Sequence, residues 1–360
     1  MSHLTGLLVI DAPASALNNA GKDEEARTDN AVAVKFIRTP EGRYPYVSAQ
    51  AVRFWLRTQL AQTAGWTTSP VFRETKVAYT DAEPTKYAED DLFGYMRAAS
   101  KSGDEKKAAK RAEIAKTSTP VGEDVGELTR ISPLRVGTMV STVPVRIVRD
   151  WGTMARAEGD PVPYEHQFYR ASLKGGVALD LACAGTFFVS QRVGYKNLDA
   201  ARVASAQAAQ ATQVSVRGFQ AWRLPVGTRQ ARTATVVRAL GKLEGGAKQT
   251  LHLTDTAPAA LVLAVCKHGN QPFQRLFTAS EDGETTSFRD DVLTEVLRVY
   301  GADLVSDVYI GWAKGFLDAE RKKLAPFLEA GGTPRVHLLH PVEAANAMAE
   351  ALEKNGAWFD

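Results

Sequence analysis

The apolar runs of this chain are short, and proline or glycine cuts between most of them. The two longest, ALDLACAGTFFV (178–189) and APAALVLAVC (257–266), are too short to cross a bilayer, and Asp180 breaks the first. Strand-like and helix-like runs mix without an internal repeat or a heptad. This punctuation predicts an α+β fold carrying long insertions. With 360 residues, 44% apolar and 24% charged, the chain can bury a full core, and 1–360 reads as one domain. Wholesale disorder, collagen-like repeats and a disulfide scaffold are excluded. Lys plus Arg number 44 against 41 Asp plus Glu, a net +3, so a nucleic-acid surface would have to be a local groove.

Residues 4–11 read as a first strand, 12–30 as a polar loop and 31–38 as a second strand. Ser48 is a good N-cap, and AQAVRFWLRTQLAQTA follows it without Gly or Pro until Gly65. At 100° per residue Val52, Trp55, Leu56 and Gln59 share one face, with Gln50, Arg53 and Arg57 opposite. Arginine pairs bidentately with phosphate, so that second face suits a nucleic-acid backbone; a solvated helix face is the plainer alternative. The 67–130 stretch reads as an insertion, and its 96–116 part is dense in Lys and Arg. Residues 168–189 read as two strands split by Gly175-Gly176, a hairpin pattern. Further helices are expected over 200–213, 233–243, 289–300 and 341–355, the last closed by Gly356.

Chemical motifs are sparse. GKLEGGAKQT (241–250) faintly resembles a phosphate loop, but Ala247 stands where Lys is required. There is no GxGxxG after the first strand and no GxSxG. His337 and His340 lack an acidic companion at helical spacing, and His166, His252 and His268 stand alone. Cys183 and Cys266 sit in apolar runs outside any CxxC pair and read as buried thiols. No metal or cofactor is expected. The opening MSHLTGLLVID lacks a basic n-region, and the expectation is a soluble cytoplasmic protein without a membrane partner.

Several segments, taken in order, resemble the CRISPR Cascade backbone subunits, the Cas-seven family, and more narrowly its type I-B, DevR-type branch. They are ALNNAG (16–21), YPYVSAQAVRFWLR (44–57), DDLFGYM (90–96), SPLRVG (132–137), VRDWGTMARAEGDPVPYEHQFYRA (148–171) and LEGGAKQTLHLTDTAP (243–258). Two departures stand out: Ala49 replaces a second serine before the Gln, and Phe54 follows Arg53 where the family commonly has a second cation.

The resemblance implies an RRM-like, ferredoxin-type palm, with finger-like elements inserted over 67–130 and a thumb hairpin over 147–168. It implies copies that polymerise along one CRISPR RNA beside Cas-five, Cas-eight and small-subunit partners. Thumbs displace bases at intervals, and the remaining bases pair with target DNA. By the same resemblance Asn18, Asn19, Arg43, Ser48, Gln50, Arg53, Arg57, Lys248 and Gln249 are RNA-contact candidates, because a guide of changing sequence must be held by its backbone. Met139 matches an apolar position against the displaced base, and Trp151 and Tyr164 in the thumb suit base stacking. No catalytic residue is expected. The alternatives are a metal-dependent RNase of the type III kind using Asp29, and a regulatory DNA-binding protein, for which no helix-turn-helix is legible.

Overall fold

The computed structural model describes residues 2–22, 28, 30–73, 77–98, 117–119, 121, 127–155 and 158–360. Asp29 and most of the basic 96–116 run lie outside these residues.

The centre is a large mixed sheet. Its middle strands run in the order Ala260–Cys266, His3–Ser15, Val162–Asp180, then Leu134–Val136 and Met139–Ser141 side by side on the same neighbour. These pairings are all antiparallel. Val308–Trp312 and Val336–Leu339 extend one side of the sheet, and Gly42–Val47 with Phe36–Thr39 extends the other.

Period-2 alternation sorts the side chains onto two faces. From the first strand Leu4, Leu8 and Ile10 pack with Val52, Trp55 and Leu56 of helix Ala49–Ala61, with Val237 of helix Val226–Leu240, and with Met348 of helix Pro341–Lys354. Leu7 and Val9 point the other way, into a second core with Phe277, Leu293 and Trp312. A strand covered on both faces should read as continuously apolar, and LLVI does so.

Several expectations need correction. The first strand runs to Ser15, and Asn19–Lys22 pairs with Ala31–Val34, so most of the expected 12–30 loop is strand among the described residues. The second strand breaks at Lys35 into Ala31–Val34 and Phe36–Thr39. Gly175-Gly176 is not a hairpin turn. Both glycines lie inside the 19-residue strand Val162–Asp180, at points of close backbone approach. A Cβ on Gly175 would come 2.8 Å from Met139 Cγ, and one on Gly137 would come 3.2 Å from the Gly176 nitrogen. Gly175 and Gly137 are kept as glycine by crowding between strands rather than by a turn, whereas Gly176 has room beside it for a Cβ. The helix expected over 233–243 begins at Val226, and the one over 200–213 ends at Ala208. The terminal helix ends at Lys354, and its start is capped by the His340 side chain. His337 instead lies 2.8 Å from Asp307.

The described part of 67–130 is tied down by buried ion pairs. Asp91 lies 2.6 Å from Arg130 and 2.8 Å from Arg232. Asp81 pairs with Arg97 at 3.1 Å, and Arg202, itself paired with Asp199, donates to the Ala82 and Asp81 carbonyls at 2.5 and 2.8 Å.

Candidate nucleic-acid interface

Tertiary contacts gather most of the expected contact residues on one side of the fold. Ala247 donates its N–H to the Leu17 carbonyl, and Asn18 Nδ2 donates to the Tyr46 carbonyl, two residues before the Ser48 cap. Gly245 is seated on Trp55, where a Cβ would meet the indole ring at 2.2 Å. Ser15 and Thr254 share a hydroxyl bond of 2.6 Å. The 16–19 segment, the helix start and the 245–254 loop are therefore one continuous patch, although they span more than 200 residues of sequence.

Within the patch the side chains differ in what remains for a ligand. Ser48 Oγ accepts from the Ala51 N–H as the helix cap, while Gln50 is exposed. Asn19 Oδ1 is buried without a hydrogen-bond partner. Lys248 adopts a left-handed backbone at φ 55°, the only cation of the 241–250 loop besides Lys242. Gln249 Nε2 donates to the Gly245 and Thr254 carbonyls and so closes the loop on itself. This is an internal brace, and it explains why a failed phosphate-loop motif still folds into an ordered turn. Arg43 lies over the Phe36 ring at 5.0 Å, with Arg38 on the same ring at 5.9 Å. Arg43 and Arg38 are directly paired across the strands. The sequence reading passed over Arg38, although strand alternation puts it beside Arg43 once the turn at 40–41 is granted.

The helix arginines correct the expectation of an open cationic face. Arg53 donates to the Phe93 carbonyl at 2.7 Å, the Leu134 carbonyl at 2.8 Å and Ser132 Oγ at 3.2 Å. Burial, with the Arg57 charge adding to it, brings its guanidinium down to about 10. Arg57 pairs with Glu89 at 3.1 Å and lies 4.5 Å from the Phe93 ring centre, leaving 36% of its side chain exposed. Both cations staple the helix to the 89–94 and 132–134 segments. Met139 is also corrected: it is 1% exposed, in the helix-side core, paired with Val47. Its strand alternation directs it inward, so it offers no wedge to a base.

The 148–168 segment is an antiparallel hairpin, with Val148–Met154 paired to the start of Val162–Asp180 from Val148↔Phe168 to Met154↔Val162. Trp151 is 52% exposed. Tyr164 covers Gly152, where a Cβ would meet its ring at 2.5 Å. It continues as a row: Tyr164 and His166 are stacked at 6.1 Å, His166 and Phe168 lie 6.2 Å apart, and His252 packs against both of the latter. His166 and His252, which stand alone in the sequence, thus join the hairpin base to the 245–254 loop. The Tyr-x-His-x-Phe alternation carried that signal. His252 is held below the usual imidazole range by burial, then by His166 and Lys248.

Among the described residues no three His, Cys, Asp or Glu side chains converge as a metal site. Among the same residues no helix is long and apolar enough to cross a membrane.

At the level of sequence, no family model and no curated protein matches the chain. Solved structures do match. One, described as a CRISPR RNA-guided surveillance complex, aligns over 97% of this chain and 99% of its own, at a TM-score of 0.50 and 11% identity. Another, the same kind of complex in a pre-nicking state, covers 97% and 100% at a TM-score of 0.50 and 13% identity. The fold is therefore that of a chain in these complexes.

Proposed function

We propose that the chain is a non-catalytic, CRISPR RNA-binding backbone subunit of a Cascade-type surveillance complex, of the type I-B, DevR kind. The carrying observation is the likeness to surveillance-complex chains over nearly the whole of both partners. Two features of the chain support it. The central strand order, with helices Ala49–Ala61 and Val226–Leu240 on one face, supports reading the sheet as a β-α-β-β-α-β, RRM-like palm. The antiparallel hairpin of Val148–Met154 with the start of Val162–Asp180 supports reading 147–168 as a thumb.

In this reading the patch formed by Asn18, Asn19, Arg43, Gln50 and Lys248 holds the guide by its phosphates, blind to base identity. Trp151 and Tyr164 meet bases by stacking. Copies of the chain line up along the guide with the other Cascade subunits, in the cytoplasm, and the exposed bases pair with target DNA. Arg53 and Arg57 act behind this surface by fixing the helix.

The test is co-expression with a CRISPR array and the other effector subunits, followed by sequencing of the co-purified RNA. A discrete repeat–spacer–repeat RNA with periodic nuclease protection is the expected result. A random RNA mixture, or none, on a folded assembly overturns the reading.

A further inference from the structure

A cavity of about 540 Å³ opens on the sheet face away from helix Ala49–Ala61. Leu7 and the backbone of Gly175 and Gly176 form its floor, Val136 to Thr138 one wall, and Gln271 with Gln274 the other. It lies beside the proposed guide surface but not on it. Met139 sends its side chain into the helix-side core, whereas its neighbours Thr138 and Val140 line the cavity. Val140 pairs with Tyr46, two residues before the Ser48 cap.

The chemistry of the walls is one-sided. Arg135 stands at the mouth, exposed. Lys174 is half-buried and donates to the Gln274 carbonyl at 3.2 Å and the Phe277 carbonyl at 2.5 Å. Two of its three N–H donors are used there, and among the described residues no carboxylate pairs with it. Burial holds its ammonium below the usual lysine range. Among the described residues no Asp or Glu lines the cavity. Gly176 raises no side chain into the cleft, and neither does Gly137 above it, where a Cβ would lie 3.2 Å from the Gly176 nitrogen, so flat peptide surface is open to a planar ring. The amides of Gln271 and Gln274 offer both donors and acceptors to the edge of such a ring. The volume falls in the range of small-ligand sites.

We infer that this cleft takes one nucleotide of a single-stranded RNA, its base laid on the Gly175–Gly176 peptides and its phosphate between Arg135 and Lys174. The inference rests on the guide-binding reading and adds a contact outside the expected surface.

The test uses the full chain and a mixed-sequence single-stranded RNA carrying 4-thiouridine, with photo-cross-links mapped by mass spectrometry. Cross-links are expected within 134–141 or 269–275, besides those within 245–252. Gly176→Leu fills the cleft; its Cβ would sit 3.4 Å from Gln271 Oε1, an ordinary contact. This variant should lower the cleft cross-links about tenfold and leave those at 245–252 in place. Arg135→Glu, at the exposed mouth, should do the same and guards against a folding defect in the first variant. RNA that binds but cross-links only elsewhere, or a filled cleft with unchanged yield, overturns the inference and leaves the guide-binding reading standing. If folded protein binds no RNA, that reading falls, and calorimetry with uridine monophosphate decides the cleft. Heat lost in Gly176→Leu keeps it as a mononucleotide site, and no heat in the wild type overturns it.

Discussion

The described part of the 67–130 insertion, whose strands form two small sheets of their own, and the 148–168 hairpin, which extends a central strand, are built on opposite principles. The insertion is locked. Asp91 is 0% exposed and takes hydrogen bonds from Arg130, Arg232 and the Gly185 N–H. Arg130 in turn donates to the Asp91, Thr186 and Cys183 carbonyls. The hairpin has a half-exposed Trp151, an exposed Met154 and a stacked row of rings ending at His252. Buried, fully bonded charges fix geometry because any loss leaves a desolvated ion behind. Exposed rings contribute little to stability and leave their faces for a ligand. The insertion is therefore held in one geometry, and in the proposed reading the hairpin makes the contact.

Removing Asp91 should break the comparison hardest. Asp91→Ala leaves two buried guanidiniums without their carboxylate, and the expected cost is about 3–5 kcal/mol in denaturant unfolding. A loss under about 1 kcal/mol would show that the insertion is not locked in this way. Trp151→Ala should do the reverse. Its stability should stay within about 0.5 kcal/mol, while RNA affinity falls by about 1–3 kcal/mol, as stacking losses do.

The arginines sharpen the contrast within the patch. Arg53→Ala removes charged hydrogen bonds to two carbonyls and a hydroxyl and should cost about 1.5–3 kcal/mol of stability. Arg43→Ala removes a cation resting on Phe36 and should cost about 0.5–1 kcal/mol. Guide binding by Arg43→Ala should weaken alike for all spacers, with a shallower salt dependence. Equal stability losses in the two variants would remove the distinction between staple and contact.

Much of this was legible before the fold was known. The Ser48 cap and the Val52–Trp55–Leu56 face follow from local spacing, and local spacing is what a sequence displays. The fate of Arg53 was not legible, because its acceptors lie 40 and 81 residues away in Phe93 and Leu134. Helical phase shows that Arg53 leaves the apolar face, not that other segments fold over it. Gly175-Gly176 failed for a related reason. A glycine pair signals a turn locally, but here a neighbouring strand presses on Gly175. Lys174 shows the same limit, since only the assembled cavity sets it among glycines and amides without an acid.

The smallest effect probes a defect inside the locked region. Asp90 is buried; one oxygen accepts from Ser69 Oγ at 2.8 Å and the Glu83 N–H at 2.9 Å, and the other has no partner. Burial, only partly offset by these bonds, raises its carboxyl above the usual aspartate range. A carboxyl whose folded value lies above its unfolded value holds its proton longer in the native state. Its contribution is therefore fully present below the unfolded value and is lost as pH rises through the folded one. Asp90→Asn keeps the shape and the accepting oxygen and removes the charge. Urea unfolding at stepped pH should find the variant as stable as the wild type in acid, and up to about 1 kcal/mol more stable at neutral pH. The difference between the two proteins should grow with pH through the folded titration. A variant less stable at neutral pH would mean that the Asp90 charge is needed by the Arg97–Asp81 and Arg202–Asp199 pairs around it and is not idle.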